Sequence, residues 1–181
     1  MKFKKFKFKK VKSTNDTAIR IIKKTNYKQG MVISKTQTNG KGQYGRKWIS
    51  CKGNLFVSFF YEFNNIKISI SNITKYNCLL IKRFISNYTN KKIDFKKPND
   101  LFIEKKKICG ILQEVFFKSN SKFLITGIGI NIKKSPNIKN YPTINLNDLS
   151  KKNIKLSEVE NSLKKIFENN LFQLSKNKGY N

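Results

Sequence analysis

The stretch Gly40-Lys41-Gly42-Gln43-Tyr44-Gly45-Arg46-Lys47-Trp48 sets three glycines among cations and ends on the chain's single tryptophan. Glycine opens backbone geometries that other residues resist, so this backbone can approach a ligand closely, and Lys41, Arg46 and Lys47 place positive charge beside it. The pattern points to an anionic ligand. Taken alone, it reads first as a hairpin turn with a solvated cationic rim.

On both sides of this stretch the pattern is that of strands. Met31 to Thr36 leads into it, and Asn54 to Phe63 is apolar and aromatic enough for a central strand, so the loop joins two strands. Upstream, Phe6, Phe8 and Val11 form an alternating, half-buried strand that delivers the chain to Ser13-Thr14-Asn15. A helix follows. Ser13, Thr14 or Asn15 can cap its first amides, Asp16 favours its positive end, and Ala18, Ile19 and Ile22 give it an apolar stripe.

Downstream, Ile68 to about Tyr88 has the spacing of a long helix with Ile81, Phe84 and Ile85 facing the core. Ile93 to Phe95 is a short strand stopped by Pro98, and Leu101 to Ile103 resumes after a Pro-Asn-Asp turn. Ile108 to Phe117 and Lys122 to Ile132 read as further strands, with Gly127 and Gly129 marking a close approach of backbone or ligand. A loop with Asn and Pro then leads to a terminal helix from Ser157 to Leu174, capped by Ser157, with Glu158 and Glu160 in its first turn. Strands come early, in hairpin-like succession and with few crossover helices. That order predicts an α+β fold with a mixed, mostly antiparallel sheet backed by helices, not a doubly wound one.

At 181 residues the chain suits a single domain with a substantial core. Its formal charge of +29 comes from 39 Lys+Arg against 10 Asp+Glu. Such a surface attracts polyanions. The excess is nearly all Lys and is spread from end to end, whereas a dedicated nucleic-acid binder concentrates Arg and aromatics in one element; no specific nucleic acid is expected. Cys51, Cys78 and Cys109 show neither a disulfide framework nor metal-ligand spacing, so no metal site is expected and a reducing cytoplasm fits. The absence of histidine excludes Ser-His-Asp and Cys-His nucleophilic sites. No apolar run approaches the roughly 20 residues of a membrane span. The start MKFKKFKFKKVK lacks the apolar core of a secretory signal.

Read together and in order, Ser13-Thr14-Asn15, the Gly40 to Trp48 loop, Lys97-Pro98-Asn99-Asp100-Leu101, Lys107-Ile108-Cys109-Gly110-Ile111-Leu112 and Gly127-Ile128-Gly129-Ile130-Asn131 resemble the catalytic domain of biotin protein ligases. The resemblance runs from about Ser13 to about Ile132. It implies a fold related to class II aminoacyl-tRNA synthetases and lipoate ligases. It also implies an ATP-dependent ligase that makes biotinyl-5'-adenylate and passes biotin to a lysine of a biotin carboxyl carrier protein, such as that of acetyl-CoA carboxylase. ATP and biotin are then required, and Mg²⁺ is implied by the nucleotide and pyrophosphate, not by any visible carboxylate cage.

Residue by residue, the resemblance gives Lys107 the carboxylate and phosphate contact, where a fixed cation offsets developing charge. Gly110 lets that strand pack closely. Lys41 stands where the family usually has arginine, keeping the charge but losing the planar fork. Gln43 also replaces an arginine, which predicts looser retention of the adenylate. Gln37 matches a biotin-contacting glutamine, and Ser13, Thr14 and Asn15 match the segment around the ureido head, whose donors and acceptor suit hydroxyls and amides. Gly40, Gly42 and Trp48 belong to the biotin and adenylate loop. Arg46, Asn99 and Asn131 are assigned to the nucleotide. Asp100 is placed near the attacking amine, as a group able to accept its proton. Lys97 departs from the tryptophan usual before Pro98.

Each position also has a plainer structural reading: helix capping for Ser13-Thr14-Asn15, a hairpin tip for Lys105 to Lys107, a turn for Pro98-Asn99-Asp100, and a core position for Trp48. Only 12 residues precede Ser13. The expectation is therefore one catalytic domain over 1–181 without an N-terminal DNA-binding domain, with the family's small C-terminal β-barrel absent or truncated, acting as a monomer or weak homodimer. Two other readings stay open: a lipoate or octanoate ligase of the same fold, and a basic nucleic-acid-binding protein on an inactive ligase scaffold.

Overall fold

The computed structural model of the chain describes residues 2–64, 69–139, 141–150 and 153–176. Its strands are β1 (Lys4–Phe8), β2 (Gln29–Ser34), β3 (Gly40–Lys41), β4 (Lys47–Trp48), β5 (Leu55–Glu62), β6 (Ile93–Lys96), β7 (Asp100–Ile103), β8 (Lys106–Lys118) and β9 (Ser121–Ile130). The helices are α1 (Thr14–Lys24), α2 (Ile70–Ser86), α3 (Leu146–Leu149) and α4 (Leu156–Lys176). Seven strands make one sheet in the order β1-β2-β5-β9-β8-β7-β6, and β3 pairs with β4 as a separate two-residue ribbon. Within the sheet β1 and β2 run parallel, and the other neighbours are antiparallel. This is the α+β, mostly antiparallel arrangement expected from the strand succession.

Side chains alternate across the sheet, so each strand feeds two different layers. Leu55, Val57, Phe59 and Tyr61 of β5 face the larger core, where they meet Ile73, Ile81, Phe84 and Ile85 of α2 and Val159, Leu163 and Phe167 of α4. The α4 residues recur every four positions, as one helical face requires. Phe167 stacks on Phe59 with ring centroids 4.0 Å apart. Phe60 of β5, with Val32, Phe123 and Ile125, faces the opposite side and packs on Ala18 and Ile22 of α1. Lys7 of β1 pairs with Glu160 of α4 at 2.6 Å, which ties the edge strand to the last helix.

Several local expectations shift. The glycine loop carries its own ribbon, β3 with β4, inside the β2–β5 connection. Val11 lies beyond β1 and forms a bridge to Gln37. The long middle helix starts at Ile70, and Ile68 falls outside the described residues. Ser157 does not cap the last helix: the Lys155 carbonyl accepts from the Glu158 and Val159 amides, so the helix begins one residue earlier than Ser157 implied. The short helix α3 was not anticipated, because four residues are too few to show a period.

β7 and β8 join through a two-residue turn in which Glu104 (φ 50°) and Lys105 (φ 61°) are both left-handed. Glycine and asparagine adopt that conformation readily, and other residues do so at a cost. Replacing Glu104-Lys105 by Asn-Gly is expected to stabilise the protein by about 1 kcal/mol, raising Tm by about 2–4 °C in a thermal melt. An unchanged or lower midpoint would count against the strain.

Burial pushes the Cys78 thiol up to about 12 from an ordinary value of 9.0, and pushes Cys109 well above the same value. A raised folded value means that the unfolded thiol loses its proton first. The stability these groups contribute is therefore complete below about pH 9 and is lost as pH rises toward the folded value. The effect is read by urea unfolding between about pH 8 and 9.5, below the reference values of lysine and tyrosine. Stability is expected to fall over that window, with a shallower slope in Cys78→Ala; equal slopes would contradict it.

Candidate active site

On the face that carries α1, the sheet changes from bulky to small residues along its strands. Beneath the helix body stand Phe60, Phe123 and Ile125. Toward the helix N-terminus the same faces carry Ser58, Gly127, Gly129 and Gly110, with Gly110 opposite Gly129 and Ser58 opposite Gly127. The change opens a cleft of about 800 Å³, a size suited to a small-molecule ligand.

The β3–β4 ribbon folds over this cleft. Its turn closes through Gly42 N to Arg46 O (2.7 Å) and Arg46 N to Gln43 O (3.1 Å). Tyr44 (φ 54°) and Gly45 (φ 73°) at its tip are left-handed, and Tyr44 projects into solvent. The Trp48 indole lies flat on the Gly110–Gly129 pair: a Cβ added at Gly110 would stand 2.7 Å from Cζ3, and one at Gly129 2.4 Å from Cε2. Trp48 Nε1 and Gln43 Oε1 are both buried without a partner. Unpaired buried polar atoms are uncommon and mark places where a ligand or water completes the bonding.

At one end of the cleft sits a polar corner built on the start of α1. Ser13 caps the helix by accepting from Asp16 N. Gln37 Oε1 accepts from Thr14 N at 2.8 Å and from Thr14 Oγ1 at 3.1 Å. Ser58 Oγ lies 2.8 Å from Thr14 Oγ1 and 2.5 Å from Asn15 Oδ1, while Asn15 Nδ2 donates to Glu114 at 2.7 Å. Gly127 makes room for that amide, since a Cβ there would stand 2.3 Å from Asn15 Oδ1. Capping and cleft lining coexist at this helix start, because one hydroxyl serves the helix while its neighbours face inward.

At the other end the chemistry is ionic. Lys107 Nζ lies 2.7 Å from Asp100 Oδ2, and both side chains are mostly buried. The ammonium sits 5.3 Å from the centroids of both Trp48 and Tyr141, within cation–π range of each. Tyr141 donates to the same Asp100 oxygen at 2.9 Å. Burial and that carboxylate push its phenol up to about 12. Asn99 Nδ2 donates to Ile111 O at 2.6 Å, fastening the turn at Pro98 to β8. Back at the α1 end, Lys41 is hydrogen-bonded to Asp16, which holds its ammonium above the usual lysine range against a smaller opposing effect of burial. Among the described residues, seven cations line the cleft against one carboxylate, Asp100, so the field inside it favours an anion.

Of the residues singled out in the sequence, Ser13, Thr14, Asn15, Gln37, Lys41, Gly42, Gln43, Arg46, Trp48, Asn99, Asp100, Lys107, Gly110 and Asn131 all line this one cleft. Gly40 lies behind the wall, where a Cβ would meet Trp48 O at 2.6 Å. Asn131 is 1% exposed, and its amide is engaged by Asn54 (3.2 Å) and the Lys107 carbonyl (3.4 Å). Sequence reasoning missed Tyr141, Ser58, Glu114 and Asn54. Ser58 and Glu114 had a signal, as polar residues at inward positions of apolar strands. Tyr141 had none, lying in a loop without period. Asn54 Oδ1 accepts from the amides of Ile132, Lys133 and Lys134 and shapes the chain beyond β9.

Comparison with known proteins bears on the fold that holds this cleft. Residues 7–131 match the model of the biotin/lipoate A/B protein ligase family. The bifunctional ligase/repressor BirA of Bacillus subtilis is 29% identical over 127 residues, covering 69% of this chain and 39% of that protein. This chain thus spans under half the length of the curated relatives it matches. Among solved structures, biotin protein ligase from Aquifex aeolicus in complex with biotin and ATP superposes with a TM-score of 0.76 at 26% identity, covering 97% of this chain and 72% of that one. The Leishmania major biotin protein ligase with biotinyl-5-AMP gives 0.80 at 24% identity, covering 96% and 75%, a likeness of fold.

Proposed function

Because the chain belongs to the biotin/lipoate A/B protein ligase family, we propose that it activates biotin with ATP as biotinyl-5'-adenylate and transfers it to a lysine of a biotin carboxyl carrier protein, that of acetyl-CoA carboxylase being the natural candidate. The observation that carries the reading is Lys107: a cation held inside the cleft between two aromatic rings, sharing it with Gln37 and Lys41 through Gln43.

A carboxylate is a poor electrophile, and attack on an α-phosphate brings two negative groups together. Lys107 is placed to neutralise both, and a preorganised cation does so with little reorganisation. Lys41 and Arg46, on the ribbon, reach the phosphates. Ser13, Thr14, Asn15 and Gln37 offer donors and acceptors without charge, which suits a ureido head. Trp48 forms the wall against which the ligand lies. Asn99 serves the nucleotide by positioning the Pro98 turn. Asn131, with both amide atoms engaged, supports the Lys107 strand beside the nucleotide. Mg²⁺ would arrive on the triphosphate, as no cluster of three His, Cys, Asp or Glu side chains occurs among the described residues.

In the second step the carrier amine loses a proton to Asp100 and attacks the acyl carbonyl. The new C–N bond forms as the C–O bond to phosphate breaks, and AMP leaves with the electron pair. Three free thiols suit a reducing cytoplasm. Among the described residues no helix is long and apolar enough to cross a membrane.

Pyrophosphate exchange into ATP with biotin, lipoate, octanoate or no acid tests this assignment. Exchange with biotin is expected. Exchange with lipoate or octanoate alone would move the substrate within the family, and the absence of exchange with any of the acids, alongside salt-sensitive polynucleotide binding, would favour a scaffold kept only for binding.

A further inference from the structure

Two donors converge on one oxygen of Asp100. Lys107 Nζ lies 2.7 Å from Oδ2, and the Tyr141 hydroxyl donates to the same atom at 2.9 Å. Oδ1 makes no hydrogen bond among the described residues, and Asp100 lines the cleft. Lys107 therefore cannot be the lasting anchor of this carboxylate. Once an acyl phosphate enters, its ammonium is drawn to the ligand's charge, and Tyr141 is then the remaining tether on Oδ2.

The tyrosine is built into the same backbone ladder as the lysine. Lys107 N donates to Pro142 O at 2.9 Å, Ile144 N donates to Lys107 O at 3.0 Å, and Lys107 bridges Thr143 in parallel. The segment after Tyr141 thus lies alongside β8 in fixed register, which sets the phenol beside Asp100. Its ring packs edge-on against Phe102 at 5.9 Å and has Lys96 Nζ 5.6 Å from its centroid. With its phenol pushed up to about 12, Tyr141 remains a proton donor throughout the neutral range.

Resting on the ligase reading above, we infer that Tyr141 is a positioning residue for acyl transfer: it holds Asp100 by Oδ2 so that Oδ1 is free to take the proton of the attacking lysine. Adenylate formation does not use Oδ1, so the two half-reactions respond differently to loss of the hydroxyl. Tyr141→Phe keeps the ring and removes only the tether.

The test compares wild type, Tyr141→Phe, Asp100→Asn and the double variant in three assays. These are biotin-dependent pyrophosphate exchange, single-turnover transfer from preformed biotinyl-5'-adenylate to a purified biotin carboxyl carrier domain, and capture of the same adenylate by hydroxylamine, an amine largely unprotonated at neutral pH. Tyr141→Phe is expected to leave exchange and hydroxylamine capture within about twofold of wild type and to slow transfer to the carrier lysine about tenfold. In the Asp100→Asn background the same substitution is expected to add nothing further to the loss, the non-additivity of two residues acting as a unit. Unchanged carrier transfer, an equal slowing of exchange, or full additivity with Asp100→Asn would overturn the role. Absence of acid-dependent exchange in the wild type would instead remove the ligase reading itself, and the tyrosine's role with it.

Discussion

Lys107→Gln is expected to slow biotin-dependent pyrophosphate exchange by about 10²–10³-fold, the usual cost of removing one preorganised charge-stabilising group from a water-poor site. The lysine is 16% exposed and rests between two aromatic rings, so its charge is screened less than that of a surface cation. The neutral amide keeps a donor for Asp100, and Tyr141 still bonds that carboxylate. Stability should therefore drop by no more than about 1–2 kcal/mol, and circular dichroism should show an intact fold. A variant that folds and exchanges within about threefold of wild type would mean that the charge is neutralised elsewhere, and the chemistry assigned to this cleft would have to be withdrawn.

Gly129→Ala is expected to have the second-largest effect. A single methyl at this position would stand 2.4 Å from Trp48 Cε2 and 2.5 Å from Cζ2, closer than real side-chain contacts come. The opposing floor position is Gly110, where space is equally short, so the indole cannot slide along the sheet. It must lift into the cleft and carry the β3–β4 ribbon with it. Overpacking of this kind costs about 1–3 kcal/mol, and a displacement of about 1 Å in a binding wall can lower the rate about 10²-fold. Exchange activity falling by that factor with Tm lowered by only several degrees would fit. Full activity in Gly129→Ala would show that the indole does not form the wall.

Much of this molecule was legible from local pattern. The continuous apolar and aromatic run in Leu55–Glu62 marks a central strand buried on both faces, and the spacing of Ile81, Phe84 and Ile85 in α2 is the periodic signal that burial on one helix face imposes. The helix start at Ser13 was legible because capping is a contact between near neighbours. The glycine loop reads in sequence as a ligand-approaching backbone and, taken alone, as a hairpin; the structure shows the hairpin as the β3–β4 ribbon and sets Trp48 at its end on a floor of glycines from other strands. Lys107 was another matter. Composition made it one of three adjacent lysines at a turn, and only the family resemblance set it apart from Lys105 and Lys106.

The strands, the helices and the cationic, glycine-rich character of the loop follow from the order of residues along the chain, because propensity, capping and periodicity act over a few positions. Partners brought together across long separations do not: Asn15 with Glu114, and Asp100 with Tyr141, lie 99 and 41 residues apart and meet only because the sheet order places β5, β9 and β8 side by side and lays residues 142–144 along Lys107. Tertiary structure alone decided which of many similar lysines would be drawn out of solvent, since that depends on where glycines leave a hollow beneath an indole, and no short-range rule encodes it.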